Sequence, residues 1–199
     1  MTVIYSNFGD ADTLALPGIW ENIPNVNVIE ITKDTVDFDE TVNNAIWQET
    51  DTIIFCGHGT SHGLLHPNMF GYVFDNLNRN FLKAKNVIGI WCWASDFARE
   101  MKLNGFFSSM YISNISEAYR YGFTEALATD INDSLKAFCK KINQFLLDNV
   151  PLNEWVNKLH STMNKNNLVE EYNYNGLTFL DSRICQLPTT KSSGLAITT

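Results

Sequence analysis

Two short apolar runs constrain the fold more than any other part of the chain: residues 52–56 (TIIFC) and residues 86–90 (NVIGI). Each holds four or five apolar residues between polar neighbours, the length of a strand and too short for a core helix. Continuous rather than alternating apolarity marks a strand covered on both faces, as in a parallel sheet. The intervening stretch is rich in turn residues and then reads as helical, which suits a right-handed crossover between neighbouring strands. Each run closes on a reactive side chain, His58 after the first and Cys92 after the second. Adjacent parallel strands would bring the two together at their carboxyl ends, where open α/β sheets place their sites.

The rest of the chain continues this rhythm. Residues 2–6 read as a first strand, followed by the turn signal Gly9-Asp10 and by Pro17-Gly18, which rules out a long first helix. A second strand spans 26–32 and a helix of about three turns begins near Asp39. Residues 59–67, rich in glycine and closed by Pro67, read as a loop over the sheet edge. Phe74, Leu77, Phe81 and Leu82 have helical spacing over 74–85, and Phe97, Ala98 and Met101 predict a helix over 94–103. A further strand is expected at 106–113. Residues 130–149 form the clearest helix, capped by Thr129 or Asp130 and stopped before Pro151, which can open the next helix. Residues 168–180 stay ambiguous, with Asn175-Gly176 a hairpin signal between two short strands.

With 199 residues and 45% hydrophobic content the chain can bury one complete core. The expected architecture is α/β: a three-layer sandwich with a mainly parallel sheet over residues 1–187. Its catalytic part covers about 1–120, a helical extension about 129–165, and a flexible tail 188–199. The net charge of -8 and pI near 4.9 disfavour a nucleic-acid or anionic-membrane partner. No stretch has the length of a membrane span and residues 1–7 do not resemble a secretory signal, so a cytoplasmic location is expected. Cys56, Cys92, Cys139 and Cys185 form no CxxC pair and read as free thiols.

A thiol with an ordinary pKa of about 8.5 is only slightly ionised at neutral pH, so a nucleophilic cysteine needs a base beside it. His58 supplies one. The amides of Cys92 and Gly59 are candidate oxyanion donors, and the missing side chain at Gly59 would let a carbonyl come close to the backbone. No carboxylate is visibly placed to orient the imidazole, so the reading is a dyad with a backbone carbonyl fixing the ring.

An apolar strand ending in His-Gly, followed some tens of residues later by an apolar strand ending in Cys, resembles the caspase-like cysteine peptidases of clan CD: caspases, legumains, gingipains, clostripain and CHAT proteases. Residues 58–65 (HGTSHGLL) are similar to the family's His-Gly segment, and residues 88–92 (IGIWC) to its nucleophile strand. The resemblance covers roughly residues 1–120. It implies a caspase-like fold, peptide or protein substrates, His58 as general base and acid, Cys92 as nucleophile, and Gly59 with Cys92 as oxyanion hole. Trp91 and residues 93–95 (WAS) depart from the settings usual in caspases and CHAT domains, so no subfamily is assigned.

Several further residues are candidates for substrate contact. Trp91 and Trp93 would line a cleft or fill it. Ser113 and Asn114 end the expected strand 106–113, and His62 lies in the loop after His58. Caspases carry an arginine near the end of the first strand for an acidic P1 side chain. Here residues 6–12 (SNFGDAD) hold two acids, Asp10 and Asp12, and no basic residue, so Asp10, with Asp96 after the nucleophile, points to a basic P1; the competing reading makes all three acids solvated surface groups. Cys56 and Cys139 read as core residues. Two alternatives remain: an inactive caspase-like binding module, and a metal-dependent enzyme using His58, His62 and His66, whose i, i+4, i+8 spacing is undercut by the surrounding glycines. No GxSxG elbow, P-loop or dinucleotide fingerprint is present, and neither a cofactor nor a resident metal is expected.

Overall fold

The structure, a computed structural model, describes residues 1–181; the expected tail 188–199 lies outside them. The elements in chain order are β1 (Thr2–Ser6), α1 (Ala11–Leu14), β2 (Asn27–Ile31), α2 (Phe38–Gln48), β3 (Thr52–Cys56), β4 (Gly59–Thr60), β5 (Gly63–Leu65), β6 (Tyr72–Phe74), β7 (Asn86–Ile90), α3 (Ala94–Glu100), β8 (Gly105–Phe107), α4 (Ile115–Arg120), α5 (Ala128–Leu147), α6 (Leu152–Thr162), α7 (Leu168–Asn175) and β9 (Thr178–Leu180). A 3-10 turn at Leu16–Ile19 follows α1, where Pro17 stops it.

Six strands form the central sheet in the order β2-β1-β3-β7-β8-β9, parallel throughout except for β9. Strand alternation splits the core into two layers. Val3, Tyr5, Ile54, Cys56, Ile88, Ile90 and Phe106 face the 3-10 turn, α5, α6 and the end of α7. Ile4, Ile53, Phe55, Val87 and Phe107 face the opposite way, toward residues of α2, α3, β5 and β6. The result is an α/β molecule with a mostly parallel sheet between two covering layers.

The crossover from β3 to β7 differs from expectation. Residues 59–67 are not a loop but the start of a second, three-stranded antiparallel sheet, β4-β5-β6. Residues 74–85 are not a helix either: only a 3-10 turn at Arg79–Phe81 forms, and Leu77 is left exposed. Asp75 and Asn78 explain this. Asn78 Oδ1 accepts from the Asp75 amide, Asp75 Oδ1 accepts from the Leu77 amide, and Asn78 Nδ2 donates to the Val73 carbonyl. Side chains of this kind outcompete helical backbone bonds.

Three further expectations are corrected. The strand at 106–113 stops at Phe107, because β9 is too short to pair beyond it and Ser108 to Ser113 run on as a buried irregular segment. The long helix begins at Ala128 after Leu127, with no side-chain cap from Thr129 or Asp130, both already inside it. Residues 168–180 form α7 and one strand rather than a hairpin, since Asn167 accepts from the Val169 and Glu170 amides and so starts a helix. The C-terminal part is therefore built onto the sheet through β9, and not only laid over it as helices. The short helix α4 had no counterpart in the sequence reading.

Candidate active site

Register brings the two reactive residues together. Cys56 pairs with Ile90, so His58 and Cys92 both lie two residues past the last rung of adjacent strands. Two residues also restore side-chain parity, which puts both on the side of the sheet that faces Leu16, Tyr111 and Leu135. All five line one cavity of about 40 Å³ together with Asp12, Thr13 and Ser113. That volume holds a water or two but falls well short of the roughly 300 Å³ of a small-molecule pocket.

His58 has a carboxylate partner after all. Asp10, past the end of β1 on the other side of β3, places Oδ2 at 2.8 Å from His58 Nε2. Asp10 is itself fixed as the cap of α1, its Oδ1 accepting from the Thr13 amide at 2.9 Å and the Thr13 hydroxyl at 2.8 Å. Partial burial opposes its ionisation, but the Thr13 donors and the His58 ring outweigh this and hold the carboxyl below its ordinary range. Phe8 meets the imidazole edge-on, with ring centroids 4.7 Å apart. Opposite an ionised carboxylate, Nε2 carries the proton, and Nδ1 is left as the basic nitrogen. Asp10 is thus the orienting group missing from the sequence reading and is not free to bind a substrate cation.

Cys92 is held as a thiol. Its Sγ donates to the Tyr111 carbonyl at 3.6 Å, and burial, reinforced by the carboxylates of Glu117 and Asp12, pushes its pKa up to about 11. The Cys92 amide has no hydrogen-bond partner among the described residues. Leu65 donates to the His58 carbonyl at 2.9 Å, which makes 58–65 a bonded rung and turns the Gly59 amide away from β5. Both candidate oxyanion donors therefore lie outside the β4–β5 bonds. Gly59 has another reason to be glycine: a Cβ would lie 2.0 Å from Trp91 Cδ1.

The two tryptophans separate. One residue from Cys92, Trp91 points to the opposite layer, where its indole is buried against Phe97 and Nε1 donates to the Thr60 carbonyl at 3.0 Å. Trp91 still counts among the residues lining the cavity of His58 and Cys92, while its indole ties the small sheet to the main one. Trp93 takes a left-handed φ of 69° at the start of α3 and stays 38% exposed. A bulky residue in that region is strained, and it makes the sharp turn that carries Cys92 past the strand end.

Asp96, His62 and Asn114 fall away from the cavity. Asp96 is half-buried and ion-paired with Arg99 at 2.8 Å. His62 belongs to a separate pocket with Tyr72, Asp75 and Glu100. Asn114 caps α4, accepting from the Glu117 amide, and donates to Asp12 Oδ2 at 2.8 Å. Ser113 does line the cavity, but its amide and hydroxyl are spent on Glu117. Thr13, Tyr111 and Glu117 carry no signal in the sequence, whereas Asp12 has one, as an acid of residues 6–12.

The three histidines do not form a ligand set. His66 is buried and stacked on Phe38, its Nδ1 accepting from the Asn68 amide. Among the described residues the group able to hold a metal ion is Asp10, Asp12 and His58, with ligand atoms within 4.8 Å of one another. Asp10 and His58 already bond each other there, and Asp12 bonds Asn114.

The molecule is thus an α/β protein with a cysteine, a histidine and an aspartate gathered at the carboxyl end of a parallel sheet. No protein family, curated protein or solved structure was found to match the chain.

Proposed function

We propose that the protein is a cysteine endopeptidase of caspase-like architecture, with Cys92 as nucleophile and His58 as base. The observation that carries this reading is the shared cavity of Cys92 and His58 at matching strand ends, with Asp10 on the far nitrogen of the ring. Binding of a peptide carbonyl would draw the thiol from Tyr111 to His58. Nδ1 takes the proton as Sγ attacks, because a thiol with a pKa near 11 does not ionise beforehand. The Cys92 and Gly59 amides receive the oxyanion, and Asp10 stabilises the imidazolium. His58 then protonates the leaving amine, and water, deprotonated by His58, hydrolyses the thioester.

The substrate we propose is a peptide or protein with Arg or Lys at P1. Asp12 and Glu117 support this. Both act electrostatically on Cys92, and no lysine or arginine among the described residues forms an ion pair with either. Negative charge at a confined site favours a cationic side chain. Neither nucleic acid nor an anionic membrane is proposed as a partner of so acidic a chain, and no described helix is long and apolar enough to cross a membrane. Free thiols at Cys56, Cys92 and Cys139 are in keeping with the cytoplasmic location proposed here.

A panel of fluorogenic peptides tests the proposal. Arg or Lys at P1 should be cleaved in preference to Asp, and Cys92→Ala and His58→Ala should each lower kcat/KM by at least about a hundredfold. Cleavage that survives Cys92→Ala would refute it. The second reading, a binding module without turnover, is favoured by the bonded thiol and the small cavity. It predicts no cleavage of any peptide and no difference between wild type and Cys92→Ala.

A further inference from the structure

The segment from Ser108 to Ser113 crosses the cavity without belonging to a strand or helix, yet Ile112 at its centre is fully buried. Buried backbone groups outside secondary structure need partners from elsewhere. At Ile112 one side chain provides both. Asn173 on α7, itself 2% exposed, accepts from the Ile112 amide through Oδ1 at 2.7 Å and donates from Nδ2 to the Ile112 carbonyl at 2.8 Å. The carboxamide stands in for a neighbouring strand at Ile112, where β9 no longer reaches. The adjacent carbonyl, Tyr111, accepts the Cys92 thiol.

The end of α7 reinforces the link. The Gly176 carbonyl accepts from the Ser109 amide at 3.0 Å, and His160 Nε2 bonds the Tyr174 carbonyl at 2.8 Å, tying α7 to α6. Glu170 on the same helix accepts from the Asn164 amide at 3.0 Å. Helix α7 is therefore a fixed post, and Asn173 is its contact with the segment over the nucleophile.

We infer that Asn173 is a positioning residue for Cys92, holding the Tyr111–Ser113 segment where the Tyr111 carbonyl keeps the thiol bonded and shielded. The inference rests on the peptidase reading only for its effect on turnover, since the reactivity of the thiol is measured directly. Without the carboxamide, both Ile112 backbone groups lose their partners in a buried place. The segment then opens toward water more often, and Cys92 opens with it.

The test uses the full chain and iodoacetamide, with the rate at each cysteine followed by peptide mass spectrometry. In Asn173→Ala, Cys92 should be alkylated at least about tenfold faster than in wild type, as expected when two buried hydrogen bonds no longer oppose a local opening. Cys56 and Cys139 should keep their wild-type rates. Leu177→Ala, which removes buried packing just past α7 in a core cluster separate from that of Ile112, serves as control. An unchanged Cys92 rate in Asn173→Ala, or an equal rise in Leu177→Ala, overturns the inference. Should Asn173→Ala not fold, wild-type protein decides: alkylation of Cys92 should speed hydrogen exchange at the Ile112 amide, and unchanged protection overturns the inference. Faster alkylation without cleavage of any peptide would leave Asn173 in its role and remove the peptidase reading. Cleavage with unaltered thiol reactivity would do the reverse.

Discussion

Asp10 shows how one residue can carry two structural duties with separate oxygens. Oδ1 caps α1 through Thr13 and Oδ2 meets His58. Asn is an equally good cap, so Asp10→Asn isolates the second duty. Since the folded-state pKa of Asp10 lies below its unfolded value, the ionised carboxylate adds stability that is present above about pH 4 and lost as pH falls through the folded pKa. Urea melts of wild type and Asp10→Asn should accordingly differ at pH 7 and converge in acid. An amide oxygen also supports the imidazolium poorly, so kcat should drop by at least about a hundredfold while KM changes little. A difference in stability that persisted in acid would mean that the cap, not the contact with His58, had been damaged.

Among the elements, the join between β3 and β4 decides where His58 sits. Gly57 takes a φ of 144°, and a Cβ there would lie 2.6 Å from the Ser6 carbonyl oxygen. Ser6 in turn donates its hydroxyl to the Leu65 carbonyl at 2.5 Å, and Trp91 bonds Thr60. The small sheet is thereby tied to the main sheet on both sides of His58. We predict that Gly57→Ala costs at least about 2 kcal/mol in denaturant melts, through strain and backbone overlap together. Retention of full stability would show that β1 and the join can move apart, contrary to the packing seen.

For the whole molecule, the C-terminal third completes the layer beneath the side of the sheet that carries His58 and Cys92. Leu135, Phe138, Cys139 and Ile142 of α5, Trp155 and Leu159 of α6 and Tyr174 of α7 belong to the same core as Val3, Ile54, Ile88 and Phe106. A chain ending at residue 127 would leave this face of the sheet exposed and lose β9 from its edge. It should bind a hydrophobic dye and unfold without a cooperative transition, whereas residues 1–199 should unfold in one step monitored by tryptophan fluorescence and circular dichroism alike. A cooperative melt of the short chain would show that residues 1–127 fold unaided.

Local pattern was enough wherever neighbours in sequence decide the outcome. Residues 2–6 and 52–56 and the run 86–90 are strands as read, since unbroken apolarity of that length suits a strand buried on both faces. The position of His58 and Cys92 beyond two such runs was legible for the same reason. Residues 74–85 have the apolar spacing of a helix but do not form one, because the Asp75 and Asn78 side chains compete for the local backbone groups. Tertiary structure alone decided the rest. Asp10 meets His58 across 48 positions of sequence, Asn173 meets Ile112 across 61, and the parity of one residue sends Trp91 to one layer and Cys92 to the other. Such contacts depend on strand order and register, which arise from how the layers pack and leave no periodic trace in the chain.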